Sequence, residues 1–320
     1  MDLNRPPLLA RGRALPLGAR TYIMAILNLT DDSFSGDGIG DDVDAALRRA
    51  ADALHEGADV LDVGAESARA DVPSRDPQEE ATLVGDVVRR ITSELSALVS
   101  IDTYKPAVAE AALQAGASIV NDIGGLKHDR RTADAAAKYG AALVINYTWE
   151  RPKVRPATPP ERDDLIGEHL AFLRERTALA LAAGVGDQSV IVDPGIAFGK
   201  SHDEDLEVLR RLGEFRTLGR PLLVAASRKH FIGSVTGLAP GERDEATGAV
   251  TALTIANGAD IVRVHNVPMA VRAVRIADAI VRAAPGAYAP GPGTWPWARD
   301  AAPIPGTAIS EHPHGTSPAG

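Results

Sequence analysis

Eight times along the chain a short apolar run stops at a polar or charged residue. The runs are YIMAIL before Asn28, DVLDV before Gly64-Ala65-Glu66, LVSI before Asp102 and SIV before Asn121-Asp122. ALVI before Asn146, SVIV before Asp193, PLLVAA before Ser227-Arg228-Lys229 and DIV before Arg263-Val264-His265 complete the series. Short Val/Ile/Leu-rich runs of this kind are the signature of parallel strands buried on both faces. Between them lie stretches whose apolar residues recur every three or four positions. These predict helices over 41–57, 77–96, 105–115, 129–139, 162–184, 203–212, 243–257 and 267–283. The first shows how the ends are marked: acidic residues open DDVDAALRRAADALHEG and Gly57 follows its last turn.

Strand and helix alternating through eight units predict a parallel sheet closed on itself, a single-domain α/β fold of the TIM (β/α)8 barrel type. An open doubly wound sheet is the alternative, but it more often has five or six units. In a closed barrel the carboxyl ends of all strands meet at one face, so the eight stop residues converge on one mouth.

Composition sharpens the outline. A chain of 320 residues with 45% apolar content can bury one large core, and β/α barrels commonly run to about 250 residues as one domain. Residues 1–19, rich in Pro, Arg and Gly, read as an extension on the barrel surface, residues 20–284 as the barrel, and 285–320 as a Pro/Gly-rich disordered tail carrying Trp295 and Trp297. The formal charge of −9 argues against nucleic-acid binding, which needs a basic face. It leaves room for a small anionic substrate held by Arg69, Lys229 and Arg263. There is no cysteine, which excludes thiol catalysis and disulfides. The amino-terminal segment has no signal-type apolar core, and no run approaches the roughly 20 apolar residues of a membrane span. A cytoplasmic protein without membrane attachment is expected.

The mouth residues carry the chemistry. Asp102 and Asp193 each follow a strand, and buried carboxylates are costly unless paired or hydrogen-bonded. One such Asp is as readily an internal salt-bridge partner as a ligand contact. Two of them, converging with Asn121 and Lys229, favour a polar ligand. Carboxylates accept paired N–H donors, Asn both donates and accepts, and Lys donates to a ring carbonyl or imine nitrogen. This set suits a flat heterocycle with a guanidine-like edge, a pterin or guanine. Arg263 and His265 flank Val264 at the last strand, where barrels often hold phosphate, and suit a diphosphate. Asn28 offers an amide oxygen to a hard cation such as Mg²⁺. A lone His265 would more simply be a satisfied core histidine. GIAFGK lacks the spacing of a phosphate-binding P-loop.

NLTDDSFSGDG (28–38), DVGAESAR (62–69), SIDTYK (100–105), NDIGG (121–125), DPGIAFGK (193–200), SRKHFIG (227–233) and NGADIVRVHNV (257–267) together resemble dihydropteroate synthase in order and spacing. The resemblance spans residues 20–284. It implies a dimeric TIM barrel that condenses dihydropterin diphosphate with p-aminobenzoate in folate biosynthesis and releases pyrophosphate. It places Asp102, Asn121, Asp193 and Lys229 on the pterin, and Asn28, Arg69, Arg263 and His265 on the pyrophosphate. Asn28 is also the implied Mg²⁺ ligand, and Lys229, Arg263 and His265 are the implied catalytic residues. Departure of Mg²⁺-pyrophosphate is then followed by amine attack on a pterin-methylene cation, with the developing diphosphate charge stabilised electrostatically. Ala68, Arg69 and His230 fall on the amine side.

The pattern departs from the family around the amine. Thr30-Asp31-Asp32-Ser33 stands where the family has Thr-Pro-Asp-Ser, which removes a fixed φ and adds a charge. Ala65-Glu66-Ser67-Ala68-Arg69-Ala70-Asp71 replaces Gly-Glu-Ser-Thr-Arg-Pro-Gly. His230 replaces a carboxylate-binding Ser, Asn146-Tyr147-Thr148 replaces Met-His-Met, which changes the packing around the pterin, and Glu204-Asp205 replaces His-Asn. A diverged paralogue that binds pterin diphosphate without synthase activity, or with another amine, is therefore the alternative. The pterin-binding barrel of corrinoid-linked methyltransferases is a third reading, opposed by the SRK and RVH segments.

Overall fold

In the computed structural model, which describes residues 5–30, 38–66, 72–127, 129–150 and 162–282, each apolar run becomes a strand. They are β3 (Tyr22–Asn28), β4 (Val60–Gly64), β5 (Val99–Asp102), β6 (Ile119–Asp122), β7 (Ala142–Asn146), β8 (Val190–Asp193), β9 (Leu223–Val224) and β10 (Ile261–Val264), preceded by a hairpin of β1 (Leu8–Ala10) and β2 (Arg13–Leu15). β3 to β8 pair in parallel in chain order, and β10 pairs with both β3 and β9. The bridge between Val192 and Leu222, with the Val192 N–H donating to the Pro221 carbonyl at 3.0 Å, closes the ring between β8 and β9. The predicted barrel is therefore closed, and the open-sheet alternative is set aside.

Alternation along each strand divides the apolar residues into two shells. Ile23, Ala25, Leu61, Val63, Val99, Ile101, Val120, Leu143, Val192 and Val262 belong to one buried cluster with residues of the surrounding helices. Their neighbours Tyr22, Met24, Val60, Ile119, Ala142, Val144, Ile191, Leu223 and Ile261 form a second cluster that fills the barrel interior. The ring of helices is α1 (Val43–Glu56), α2 (Pro77–Glu94), α3 (Pro106–Gln114), α4 (Arg131–Tyr139), α5 (Leu165–Ala182), α6 (His202–Arg210), α7 (His230–Thr236), α8 (Asp244–Ala256) and α9 (Val267–Val281). α1 begins where Asp42 accepts from the N–H groups of Asp44 and Ala45, and stops at Gly57 with φ 109°. Among these, α7 has no counterpart in the predicted helices. It is seven residues long, too short to show a helical period.

The amino-terminal segment differs from the expected surface extension. Leu8, Ala10, Leu15 and Leu17 are buried in the same cluster as Tyr22, Met24 and Leu98, so the hairpin closes the lower end of the barrel. Apolar residues at alternate positions of a hairpin present one dry face, which Pro- and Arg-rich composition concealed. Arg5 pairs with Asp260 at 2.6 Å and Arg11 donates to the Ala117 carbonyl at 2.9 Å. The expected tail, 285–320, lies outside the described residues. No helix among the described residues is long and apolar enough to cross a membrane.

Candidate active site

The inward face of the strands changes character near their carboxyl ends. Below, Met24, Val60, Ile119, Val144, Ile191 and Ile261 are apolar. One inward position higher, on all of those strands but the first, stand Asp62, Asn121, Asn146, Asp193 and Arg263, joined by Asp102 on β5. Side chains two apart in a strand share a face, so the switch is a ring of polar groups on an apolar floor.

Asp62 organises this ring. It is fully buried, and its Oδ2 accepts from Arg263 Nε at 2.5 Å and from Asn121 Nδ2 at 3.0 Å. Arg263 Nη2 donates at 2.6 Å to Asp102. One guanidinium is thus shared by two carboxylates. A planar, always-charged fork is suited to this, and the arrangement fixes its plane. Burial, followed by the pull of Arg263 and the repulsion of Asp62, leaves Asp102 raised to about 7. Burial alone would lower Arg263, but Asp62 and Asp102 hold it above the ordinary arginine value. Among the described residues, Asp62 Oδ1, Asp102 Oδ1 and Ser100 Oγ are buried with no hydrogen-bond partner. Buried polar atoms are rarely left unpaired, so this side of the polar ring can receive donors from a bound molecule.

Across the mouth, Asp193 is buried and its Oδ1 accepts from the Gly195 N–H at 2.7 Å. Burial raises it to about 6 against that hydrogen bond and against Lys229 and Lys200. Gly195 sits at φ 68°, and a Cβ there would collide with the Tyr147 carbonyl oxygen, so the turn after β8 admits no side chain. Lys229 reaches the same mouth with its ammonium 5.0 Å from the Phe198 ring centroid. Burial and then Arg263 lower its pKa, while Asp193, Asp205 and Asp102 oppose that. Arg228, at φ 56°, turns outward into a two-pronged ion pair with Asp244 at 2.6 and 2.8 Å. That left-handed residue lets Lys229 face inward. His265 stands beside Ser227, its Nδ1 2.9 Å from the Ser227 hydroxyl, and its own N–H donates to that oxygen at 3.3 Å.

Asn28 closes β3 opposite Gly64 and is half-buried at the rim. Among the described residues no three His, Cys, Asp or Glu side chains gather as a cage for a metal ion. A hard cation bound through one amide oxygen, substrate phosphates and water would suit such a rim. The amine-side residues Ala68 and Arg69, with Asp31, Asp32 and Ser33 of the first loop, lie outside the described residues. The stem of the second loop is described. Glu66 Oε1 accepts from the Ser74 hydroxyl at 2.8 Å and the Tyr104 hydroxyl at 3.1 Å, and Glu66 pairs with Lys105. Lys105 also donates to Glu80 at 2.6 Å and to the Arg75 carbonyl at 3.0 Å, joining both sides of the loop. His230 opens α7 and is exposed.

The structure therefore brings Asp102, Asn121, Asp193, Lys229 and Arg263 to one mouth, with Asn28 at its rim and His265 just past the end of the last strand. Asp62 does not stand out in the sequence, because it interrupts an apolar run instead of ending one. The sequence does hold one signal for it: an acidic residue in the middle of DVLDVG, two positions before the strand end. Ser227 likewise has no sequence signal apart from its place at the head of Ser227-Arg228-Lys229.

Residues 24–265 match the family described as pterin binding enzyme. The dihydropteroate synthase of Bacillus subtilis (strain 168) is 42% identical over 84% of this chain and 91% of its own length. Two crystal structures of the dihydropteroate synthase from Thermus thermophilus, one in complex with 4-aminobenzoate and one with 6HMPPP, superpose with TM-scores of 0.73 and 0.71. They are 35% and 36% identical, and each match covers 86% of this chain and 99% of that one.

Proposed function

The chain belongs to the dihydropteroate synthase family of pterin-binding transferases, and from that premise we propose how its barrel mouth performs the synthase reaction. The substrates are 6-hydroxymethyl-7,8-dihydropterin diphosphate and p-aminobenzoate. The reaction breaks the methylene C–O bond, with the electron pair leaving on the diphosphate, and forms a C–N bond to the amine, which gives up a proton.

The polar ring over an apolar floor carries this reading, because it matches a flat heterocycle with both donor and acceptor edges. Asp193 accepts the N–H groups of the guanidine-like edge, and Asn121 pairs beside it. Lys229 donates to the ring carbonyl or imine nitrogen. Asp102 receives an N–H at the far side, its free Oδ1 having no other partner among the described residues. Arg263, held by Asp62 and Asp102, presents its guanidinium face to the mouth and places positive charge near the departing diphosphate. His265, steadied by Ser227, and Asn28 contact the diphosphate oxygens from the ends of two neighbouring strands, with Arg69 as a further contact. A Mg²⁺ ion on Asn28 and those oxygens would neutralise leaving-group charge. His230 and the segment carrying Ala68 and Arg69 face the aminobenzoate.

A homodimer is part of the reading. Leu253 on α8 and Ile276 and Ile280 on α9 are 65%, 64% and 80% exposed, and an apolar patch on two adjacent helices suits a second copy of the chain. Sedimentation of the intact protein checks this: a dimer is expected, a monomer at micromolar concentration contradicts it. The enzymatic test is pyrophosphate release and dihydropteroate formation over several aromatic amines. Turnover with p-aminobenzoate is expected. Pterin diphosphate binding without turnover on any amine would identify a binding paralogue instead.

A further inference from the structure

Two departures from the family pattern, Asn146-Tyr147-Thr148 and Glu204-Asp205, lie far apart in sequence, yet one arginine joins them. Arg162 has a side chain only 2% exposed. Its Nη1 donates to Glu204 at 2.5 Å and its Nη2 to the Gly199 carbonyl at 2.9 Å. Its Nε lies 3.5 Å from Glu168, which accepts the Tyr147 hydroxyl at 2.6 Å. The guanidinium also lies over the Trp149 ring, 4.9 Å from its centroid. These contacts on a buried cation, spread over α5, α6, the segment after β7 and the turn after β8, make it the junction of this side of the barrel.

The turn it holds is the one that carries Phe198. Gly199, at φ 75°, packs so closely on Trp149 that a Cβ would collide with the Trp149 side chain. Glu204, besides meeting Arg162, accepts the Ser201 N–H at 2.7 Å and so starts α6. Asp205 fixes the same turn from inside by accepting the Ala197 N–H at 2.8 Å. Phe198 is thereby set between two clamped neighbours, and the Lys229 ammonium rests against its ring. Among the described residues Lys229 has no hydrogen-bonded anion of its own, so this ring contact helps to place its ammonium.

We infer that Arg162 is a positioning residue for Lys229, acting through the Gly199 carbonyl and Glu204 on the turn that presents Phe198. The inference rests on the proposed role of Lys229 in binding pterin diphosphate. It assigns the rewritten β7 and α6 positions to one compensated unit that keeps the pterin side working, rather than to the amine side.

Calorimetry with pterin diphosphate on the full chain tests this. Wild-type binding tests the functional reading, and only the variants test the inference. R162A is expected to raise Kd about tenfold. R162K should raise it less but still measurably, because an ammonium cannot serve Glu204 and the Gly199 carbonyl in one plane. In a K229M background, R162A should add no further loss, since residues that act as a unit are non-additive. E204Q keeps an acceptor for the helix start but loses the charged partner; it should weaken binding in the same direction and be equally silent in K229M. An unchanged Kd in R162A overturns the inference. So does a tenfold loss that persists in K229M, since Arg162 would then act elsewhere. If R162A does not fold, E204Q alone decides by the same two comparisons.

Discussion

Replacing Asp62 by Asn keeps the side chain's shape and leaves an oxygen for Arg263, but removes the charge at the centre of the polar ring. Asp62 is fully buried and serves Arg263 at 2.5 Å and Asn121 at 3.0 Å. Breaking a buried ion pair by removing one partner costs about 3–5 kcal/mol when the other is stranded. Arg263 is not stranded here, because Asp102 remains at 2.6 Å. The loss should therefore approach that of a charge-assisted hydrogen bond, about 2–3 kcal/mol. If it falls on the bound transition state, kcat/KM drops roughly 30- to 150-fold. The pH profile gives a second readout. Asp102 is raised to about 7 by burial, opposed by Arg263 and Lys229 and reinforced by Asp62 and Glu80. An acceptor must be ionised, so kcat/KM should fall as pH drops through about 7. Without the Asp62 charge Asp102 ionises more readily, and the acid limb should move to lower pH by about one unit. Steady-state pyrophosphate release from about pH 5 to 9, spanning that limb, measures both effects. A variant within about threefold of wild type, with its acid limb unmoved, would refute the role given to Asp62.

Gly195→Ala should lower stability by about 2–4 kcal/mol, from a positive φ and a backbone collision with Tyr147, and should weaken pterin binding because the Gly195 N–H holds Asp193. Thermal melting and calorimetry check it; wild-type values in both would show that the turn has room to spare. His230→Ser should change the KM for p-aminobenzoate about two- to tenfold while pterin affinity holds, since His230 is exposed at the start of α7 and away from the buried floor. An equal change in pterin Kd would move His230 out of the amine side. Chelation of divalent ions should abolish turnover, and added Mg²⁺ should restore it. Activity that survives exhaustive chelation would remove Asn28 from its metal role.

Much of this arrangement was legible from the chain itself. A parallel strand buried on both faces has no choice but to read as a continuous apolar run, and its end is marked by the first residue that reaches solvent or substrate. That is why Asp102, Asn121, Asp193 and Arg263 stood out. Asp62 was less visible because it interrupts a run rather than ending it, and the pattern of DVLDVG alone does not say which parity faces inward. The hydrogen bonds that Asp62 accepts from Arg263 and Asn121 inside the barrel settle that. Arg162 was harder still. Its partners Tyr147, Trp149, Glu168, Gly199 and Glu204 become neighbours only when the barrel closes, and no local spacing encodes them. The hairpin was hidden for a different reason: its dry face rests on a few alternating residues within a Pro- and Arg-rich segment.

The most direct measurement is dihydropteroate formation by the purified chain from pterin diphosphate and p-aminobenzoate, beside Asp193→Ala. The wild-type chain should release one pyrophosphate per dihydropteroate formed, and the variant should lose most of its pterin affinity and turnover together. No product from the wild-type chain, or unchanged pterin binding in Asp193→Ala, would contradict the assignment of this barrel mouth.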